Sequence, residues 1–97
     1  MTIAAIKKQA LPIFKSQGVL KAAVFGSFAR GDNKKNSDVD FLVKLKKNKS
    51  LFDFLELKFA LEEKLNKRID LVSYNGIHPF LKAKILEEQK IIYEKRT

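Results

Sequence analysis

The sequence predicts an α/β (α+β) fold in which a small sheet of three to four strands is backed by helices. Helical and strand-like segments alternate along the chain in the order α-β-α-β-α-β-α-β. The strand-like segments are short, apolar and rich in β-branched residues, whereas the others carry apolar residues at helical spacing. Because 97 residues are enough for one compact core and too few for two ordinary domains, we expect a single domain over residues 1–97.

Capping residues and turn formers divide the first half of the chain. Thr2 can cap a helix that runs to about Ser16, but Pro12 lies inside it, where proline tends to end or kink a helix early. The segment Val19–Phe25 is β-branched and apolar, which predicts a buried strand. A glycine follows this strand, and a short helix is expected to start at Ser27.

The middle of the chain contributes a strand and a long helix. The turn-forming segment GDNKKNS, residues 31–37, precedes a predicted strand over residues 38–45. Ser50 and Asp53 resemble a capping box. A helix of about four turns is therefore expected to begin there and to end near Asn66.

The last third of the chain predicts two further strands with a helix between them. A third strand is expected over residues 68–73, and an Asn-Gly pair marks the turn after it. A proline is tolerated in the first turn of the next helix, which apolar residues at helical spacing extend over residues 80–89. Residues 91–93, IIY, can add a strand at the edge of the sheet.

The composition favours a folded protein with a negatively charged partner. Its 20 Lys and Arg residues against 11 Asp and Glu residues give a formal charge of +9, which attracts phosphates, nucleic acid or an acidic protein. The lysine clusters at residues 34–35 and 44–49 lack interleaved aromatic residues, so they add little support for single-stranded nucleic-acid binding. There is no cysteine, signal peptide or membrane-spanning run, so we expect a soluble cytoplasmic protein with no membrane partner.

Three aspartates in the predicted strands are the candidate metal ligands. Asp38 and Asp40 lie two residues apart in a strand, so their carboxylates are expected to point to the same face. Asp70 lies between apolar residues of the third strand, which is a costly position for a lone ion. Magnesium prefers carboxylate oxygens, and a third acid would complete a two-metal site for phosphoryl transfer. Taken alone, Asp70 could equally form a surface salt bridge with Arg68.

Gly26 and Ser27 form the candidate phosphate site. They lie where a strand ends and a helix starts, and backbone amides at a helix start favour anions. A glycine lets the backbone approach phosphate oxygens without a Cβ in the way, and the serine hydroxyl can donate one more hydrogen bond. Taken in isolation, Ser27 could instead be an ordinary helix cap.

The segment from Gly26 to Val43, GSFARGDNKKNSDVDFLV, resembles the signature of the DNA polymerase beta-like nucleotidyltransferase superfamily. The similarity is closest to the minimal nucleotidyltransferases (MNT), small proteins that often serve as the antitoxin partner of a HEPN-domain toxin. It extends through IDLV at residues 69–72 and the closing LKAKILEEQKIIY. The resemblance implies the nucleotidyltransferase fold, with a mixed sheet, and an enzyme that transfers a nucleoside monophosphate from a nucleoside triphosphate to a hydroxyl acceptor.

The resemblance also implies roles for the candidate residues. Gly26 and Ser27 would hold the triphosphate. Asp38 and Asp40 would bind magnesium, with two ions expected, and Asp70 would be the third acid, on the side of the acceptor hydroxyl.

Arg30 matches the arginine of the family motif, where it would either contact phosphate or brace the loop. The family further implies ATP as the donor and pyrophosphate as the leaving group. Some of its members adenylylate a tyrosine of their toxin, so a HEPN-type toxin is the implied protein partner, in a hetero-oligomer with this chain.

Two other functions compete with transfer: a non-catalytic antitoxin or adaptor that binds its partner by contact, and a basic RNA-binding module. The helix after Ser50 favours the adaptor, because its apolar residues cover more than half of its circumference. One stripe consists of Phe54, Leu57, Leu61 and Leu65. The second stripe consists of Leu51, Phe52, Leu55 and Phe59. Either the first helix buries the second stripe, or that stripe is exposed to a partner.

Two further residues receive structural interpretations. His78 precedes a proline in a turn and is interpreted as a loop or capping residue. Tyr74 follows the third strand closely, so it could flank a nucleotide, but a half-buried packing role is favoured.

Overall fold

The computed structural model describes residues 1–95 and contains four helices and four strands in the predicted order. A short 3-10 turn, Tyr74–Gly76, separates the third strand from the last helix. The elements are α1 (Ile3–Ser16), β1 (Val19–Phe25), α2 (Ser27–Arg30), β2 (Val39–Leu45), α3 (Leu51–Leu65), β3 (Ile69–Ser73), α4 (Pro79–Glu88) and β4 (Lys90–Glu94).

The sheet is mixed, which confirms the predicted fold class. Its strand order is β3-β2-β1-β4. β1 runs antiparallel to both of its neighbours, β2 and β4, whereas β2 and β3 are parallel. The parallel pairing is possible because α3 provides the long crossover that parallel strands require. β4 lies at the edge of the sheet, as predicted.

Helix α1 continues through Pro12 and ends at Ser16, as predicted, so the proline does not end it early. Proline cannot donate a hydrogen bond to the carbonyl oxygen four residues earlier, which belongs to Lys8. Lys8 and Pro12 are both exposed, so water can satisfy that oxygen. At the start of the helix, the Thr2 side chain accepts a hydrogen bond from the Ala5 N–H, which confirms the predicted cap.

The main core lies on the face of the sheet that α1 and α3 cover. Alternate residues of β2, such as Phe41, point into it and meet Phe14 of α1 and Leu57 of α3. A smaller cluster on the opposite face contains Leu42, with Ile85 of α4 packed against it. Side chains alternate along a strand, so Asp40 lies on the same face as Leu42, the face that α4 covers. Asp70 pairs with Asp40 in the parallel register and lies on this face too.

Helix α3 buries one of its two apolar stripes and exposes the other. Leu57, Leu61 and Leu65 are buried, whereas Phe52 and Phe59 are 83% and 61% exposed. The interpretation in which α1 buries the second stripe is therefore wrong, and a continuous apolar surface remains open to solvent. The predicted capping box is confirmed, because Ser50 and Asp53 bond each other reciprocally at the start of the helix. None of the helices within residues 1–95 is long and apolar enough to cross a membrane.

Candidate active site

Gly26 follows β1 in a backbone conformation that requires glycine. Its φ of 72° and ψ of −149° lie outside the regions that residues with a side chain adopt freely. A Cβ at this position would also collide with the Asp40 carboxylate, which lies against the backbone here. Gly26 therefore brings the start of α2 directly beside the acid of β2.

Ser27 is the first residue of α2 and does not cap it. Gly26 occupies the cap position, and the helix start has no hydrogen bond from a capping side chain among the described residues. The interpretation of Ser27 as an ordinary helix cap is therefore wrong. Its side chain instead lines an open cleft, where the hydroxyl can donate to a ligand.

Asp40 is a strongly perturbed acid at the bottom of this cleft. It is half-buried in β2 and stands opposite Asp70 of β3 in the parallel pair. Burial first, and then the charges of Asp70 and Asp38, raise the pKa of Asp40 from 3.8 to about 6, although Arg30 acts in the opposite direction. The three predicted acids therefore interact electrostatically at Asp40, where Arg30 opposes the effect of the other two acids.

The three carboxylates do not by themselves form a closed metal site. Within residues 1–95, no three acidic or histidine side chains lie close enough to hold a metal ion together. Asp38 and Asp70 are exposed, and like charges repel one another unless a cation lies between them. The donor set nevertheless fits magnesium, because it offers carboxylate oxygens and leaves further coordination positions to phosphate oxygens.

The competing interpretation of Asp70 as the salt-bridge partner of Arg68 receives no support. In the part of the chain that the structure describes, the ion pairs are those of Arg30, and Arg68 and Asp70 do not form one. The Asp70 carboxylate is thus exposed beside Asp40, and it forms no ion pair with the described cations.

A cleft of about 550 Å³ separates Asp38 and Asp40 from α4. This volume lies in the range of small-molecule sites in proteins. One wall contains Gly26, Ser27, Arg30, Asp38 and Asp40. The opposite wall contains Leu81, Lys84, Ile85 and Glu88 of α4. Asp70 does not line the cleft and lies on the far side of Asp40, along β3.

The α4 wall is the part of the site that sequence reasoning missed. Its four lining residues occur at positions i, i+3, i+4 and i+7, so they form one face of the helix. Leu81 and Ile85 were recognisable from their helical spacing, but that spacing alone indicates a buried face. The signal for a site was the combination of Lys84 and Glu88 with these apolar residues on one face.

Arg30 is held by two acids at the rim of the cleft. Its Nε donates to Asp32 Oδ2 at 3.2 Å, and its Nη1 donates to Glu88 Oε1 at 3.1 Å. Of the two roles implied for Arg30, these contacts support the brace. The guanidinium still lines the cleft, so a phosphate oxygen could also reach it.

Tyr74 and His78 have the structural roles that the sequence favoured. The Tyr74 hydroxyl donates to Gln89 Oε1 at 2.6 Å, and the ring packs against the smaller core cluster. His78 caps α4, because its Nδ1 accepts a hydrogen bond from the Phe80 N–H at 3.2 Å. Neither residue lines the cleft.

Comparison with known proteins identifies the family. The model of the polymerase beta nucleotidyltransferase family matches residues 8–97. MJ0435 of Methanocaldococcus jannaschii, named as a candidate protein adenylyltransferase, is 48% identical over 91% of this chain and 95% of its own length. The protein adenylyltransferase MntA of Thermococcus cleftensis is 41% identical over 73% of this chain and 72% of its own length.

Solved structures agree with this result. A structure described as a candidate minimal nucleotidyltransferase has a TM-score of 0.79 and 35% identity, and the match covers 93% of this chain and 95% of that one. An MNT antitoxin, solved in complex with a tri-AMPylated HEPN toxin of Shewanella oneidensis, has a TM-score of 0.72 and 16% identity, over 95% of this chain and 72% of that one. The second likeness shows the fold alone. By its sequence and its fold, the chain belongs to the polymerase beta nucleotidyltransferase family, in its minimal form.

Proposed function

We propose that this protein transfers AMP from ATP to a hydroxyl group of a partner protein. The observation that carries the proposal is the position of Asp40, whose carboxylate lies against the Gly26 backbone and opposite Asp70. A triphosphate bound beside Gly26 would thus lie next to the acids. Such a site catalyses mainly by positioning the reactants and neutralising charge.

The acids would hold the metal ions that this chemistry needs. Asp38 and Asp40 would bind two magnesium ions, with Asp70 as a further ligand on the acceptor side, and the ions would neutralise the negative charge of the triphosphate. Burial, and then repulsion by Asp70 and Asp38, raise the pKa of Asp40, and a bound cation would relieve that repulsion.

The reaction proceeds by in-line displacement at the α-phosphorus. The acceptor oxygen forms a bond to this phosphorus, and the bond to the β-phosphate bridging oxygen breaks, so that pyrophosphate leaves. Asp70, on the acceptor side, would orient the incoming hydroxyl and help to take up its proton. Ser27 and Arg30 would donate hydrogen bonds to triphosphate oxygens from the rim of the cleft.

Adenine is the proposed base of the donor, and a HEPN-type toxin is the proposed partner. The relatives named protein adenylyltransferases support the first point. The MNT antitoxin that was solved together with a tri-AMPylated HEPN toxin supports the second. The apolar side chains of Leu81 and Ile85 give the cleft a surface against which a base or sugar could pack.

The test uses ATP labelled on the α-phosphate, magnesium and the protein encoded by the adjacent gene. We expect label on the partner protein and release of unlabelled pyrophosphate. Label on the β- or γ-phosphate should not be transferred, which distinguishes this reaction from a kinase reaction. The proposal would be overturned if none of the four nucleoside triphosphates, each labelled on the α-phosphate, transferred label to the partner protein.

A non-catalytic antitoxin or adaptor is the second candidate, and the exposed stripe of α3 favours it. Phe52 and Phe59 are exposed aromatic residues of the kind that anchor protein interfaces. Glutamate at both positions should abolish partner binding and leave ATP binding unchanged. The adaptor function would be favoured if the wild-type protein neutralised its partner equally well without any nucleotide.

A further inference from the structure

Glu88 reaches across the cleft from the end of α4 and contacts the opposite wall. One carboxylate oxygen, Oε1, accepts hydrogen bonds from the Gly26 N–H at 2.8 Å and from Arg30 Nη1 at 3.1 Å. The Glu88 side chain is only 15% exposed. A largely buried carboxylate is costly unless it is well hydrogen-bonded, and the two hydrogen bonds of Oε1 meet this need.

The contact joins both ends of α2. This helix has four residues, with Gly26 at its cap position and Arg30 as its last residue. A single helical turn is unstable on its own, because nucleation fixes several residues for few hydrogen bonds. Gly26 adds to this problem, since glycine has the greatest backbone freedom of any residue. An external acceptor that binds both ends is therefore what this turn needs to keep one conformation.

The position of Glu88 is itself fixed by the sheet. β4 begins at Lys90, two residues after Glu88, and Lys90 pairs with Val24 of β1. Gly26 lies two residues after Val24. Strand pairing thus places the end of α4 next to the end of β1. In contrast, α4 has no fully buried residue, so its packing alone would hold Glu88 only loosely.

We propose that Glu88 is a positioning residue of the nucleotide site, which orients the Gly26 backbone and the Arg30 guanidinium toward the triphosphate. This inference rests on the proposed function. The essential property of Glu88 is its acceptor oxygen, since one oxygen serves both donors. An uncharged acceptor of the same length should therefore replace it, whereas an apolar side chain of similar length should not.

The test compares the affinity for magnesium–ATP of Glu88→Gln and Glu88→Met by isothermal titration calorimetry. Glu88→Met should bind ATP at least about tenfold more weakly, as expected when hydrogen bonds to a charged group are lost. Glu88→Gln should stay within about threefold of the wild type, because its amide oxygen accepts from the same donors. Glu87→Gln is the matched control, since the neighbouring Glu87 is exposed and should bind like the wild type.

Melting temperatures are measured in parallel. If Glu88→Met is unfolded at the assay temperature, Glu88→Asp takes its place: it keeps the charge but is one methylene too short to reach both donors, and it should bind ATP as weakly. Wild-type-like binding by a folded Met or Asp variant would overturn the inference. Tighter binding by both Gln and Met would also overturn it, because Glu88 would then compete with the triphosphate. A wild-type protein that does not bind ATP would instead contradict the proposed function.

Discussion

Asp40 and Asp70 stand opposite each other on the parallel strands β2 and β3. The two carboxylates come from segments 30 residues apart in the chain, and the strand register brings them to the same point of the sheet. Like charges at such a point are destabilising unless a cation or a proton compensates them. This pair and the neighbouring Gly26 should therefore govern both the stability of the protein and its affinity for metal ions and nucleotide.

Asp40→Asn should abolish nucleotide transfer and leave the fold intact. The amide keeps the shape of the side chain but removes the charge that would hold a magnesium ion. Transfer of labelled AMP should fall at least about a hundredfold, in line with the loss of a main electrostatic element of a catalytic site. Glu63→Gln, an exposed acid on α3, is the control and should transfer at the wild-type rate. An active Asp40→Asn variant would contradict the assigned site.

Stability should fall as the pH rises from about 4 to about 6, because the pKa of Asp40 is raised from 3.8 to about 6 in the folded protein. In this window the folded state holds a proton that the unfolded state has released, so raising the pH favours unfolding. Asp40 is half-exposed, so solvent screens its charge. We therefore expect the free energy of unfolding to fall by about 1–2 kcal/mol over this pH range. Urea unfolding at several pH values measures it, and Asp40→Asn should remove this part of the pH dependence.

Magnesium should raise the melting temperature of the wild-type protein at pH 7.5, which lies above the pKa of about 6 of Asp40. A cation that binds the folded state alone stabilises it in proportion to the logarithm of its concentration. Asp40→Asn should lose most of this increase, as measured by differential scanning calorimetry with magnesium or with sodium at equal ionic strength. An equal increase in both proteins would indicate that the ion binds elsewhere.

Gly26→Ala should destabilise the protein and abolish ATP binding. The new Cβ would meet the Asp40 carboxylate, and the positive φ adds strain of about 1–2 kcal/mol. Gly31→Ala provides a matched control, because Gly31 also has a positive φ of 80° but a Cβ there meets nothing within 4 Å. We therefore expect Gly31→Ala to lose only the strain energy and to keep its affinity for ATP. Equal effects of the two variants would exclude the role of the Asp40 contact.

Local sequence patterns predicted the elements and placed two acids, Asp38 and Asp40, at the start of β2. Alternation in a strand was enough to place Asp38 and Asp40 together, and Ser50 with Asp53 was enough to start α3. Glu88 could not be predicted in this way, because its partner Gly26 is 62 residues distant in sequence. Their meeting depends on β4 pairing with β1, which no periodicity encodes.

The burial of α3 also depended on tertiary structure. Its two apolar stripes look equivalent along the sequence, and the packing of α1 and the sheet selects the stripe that contains Leu57 and Leu61. Pro12 shows the same limit, since its effect depends on whether water reaches the Lys8 carbonyl oxygen.

The two walls of the cleft come from opposite halves of the chain. The segment from Gly26 to Asp40 supplies the proposed phosphate contacts and two of the three acids, whereas α4 supplies Leu81, Lys84 and Ile85. If the proposed function holds, substitutions on α4 should change which nucleotide is accepted and leave the proposed metal ligands the same. For protein engineering, this separation makes α4 the natural place for a library that seeks a new donor.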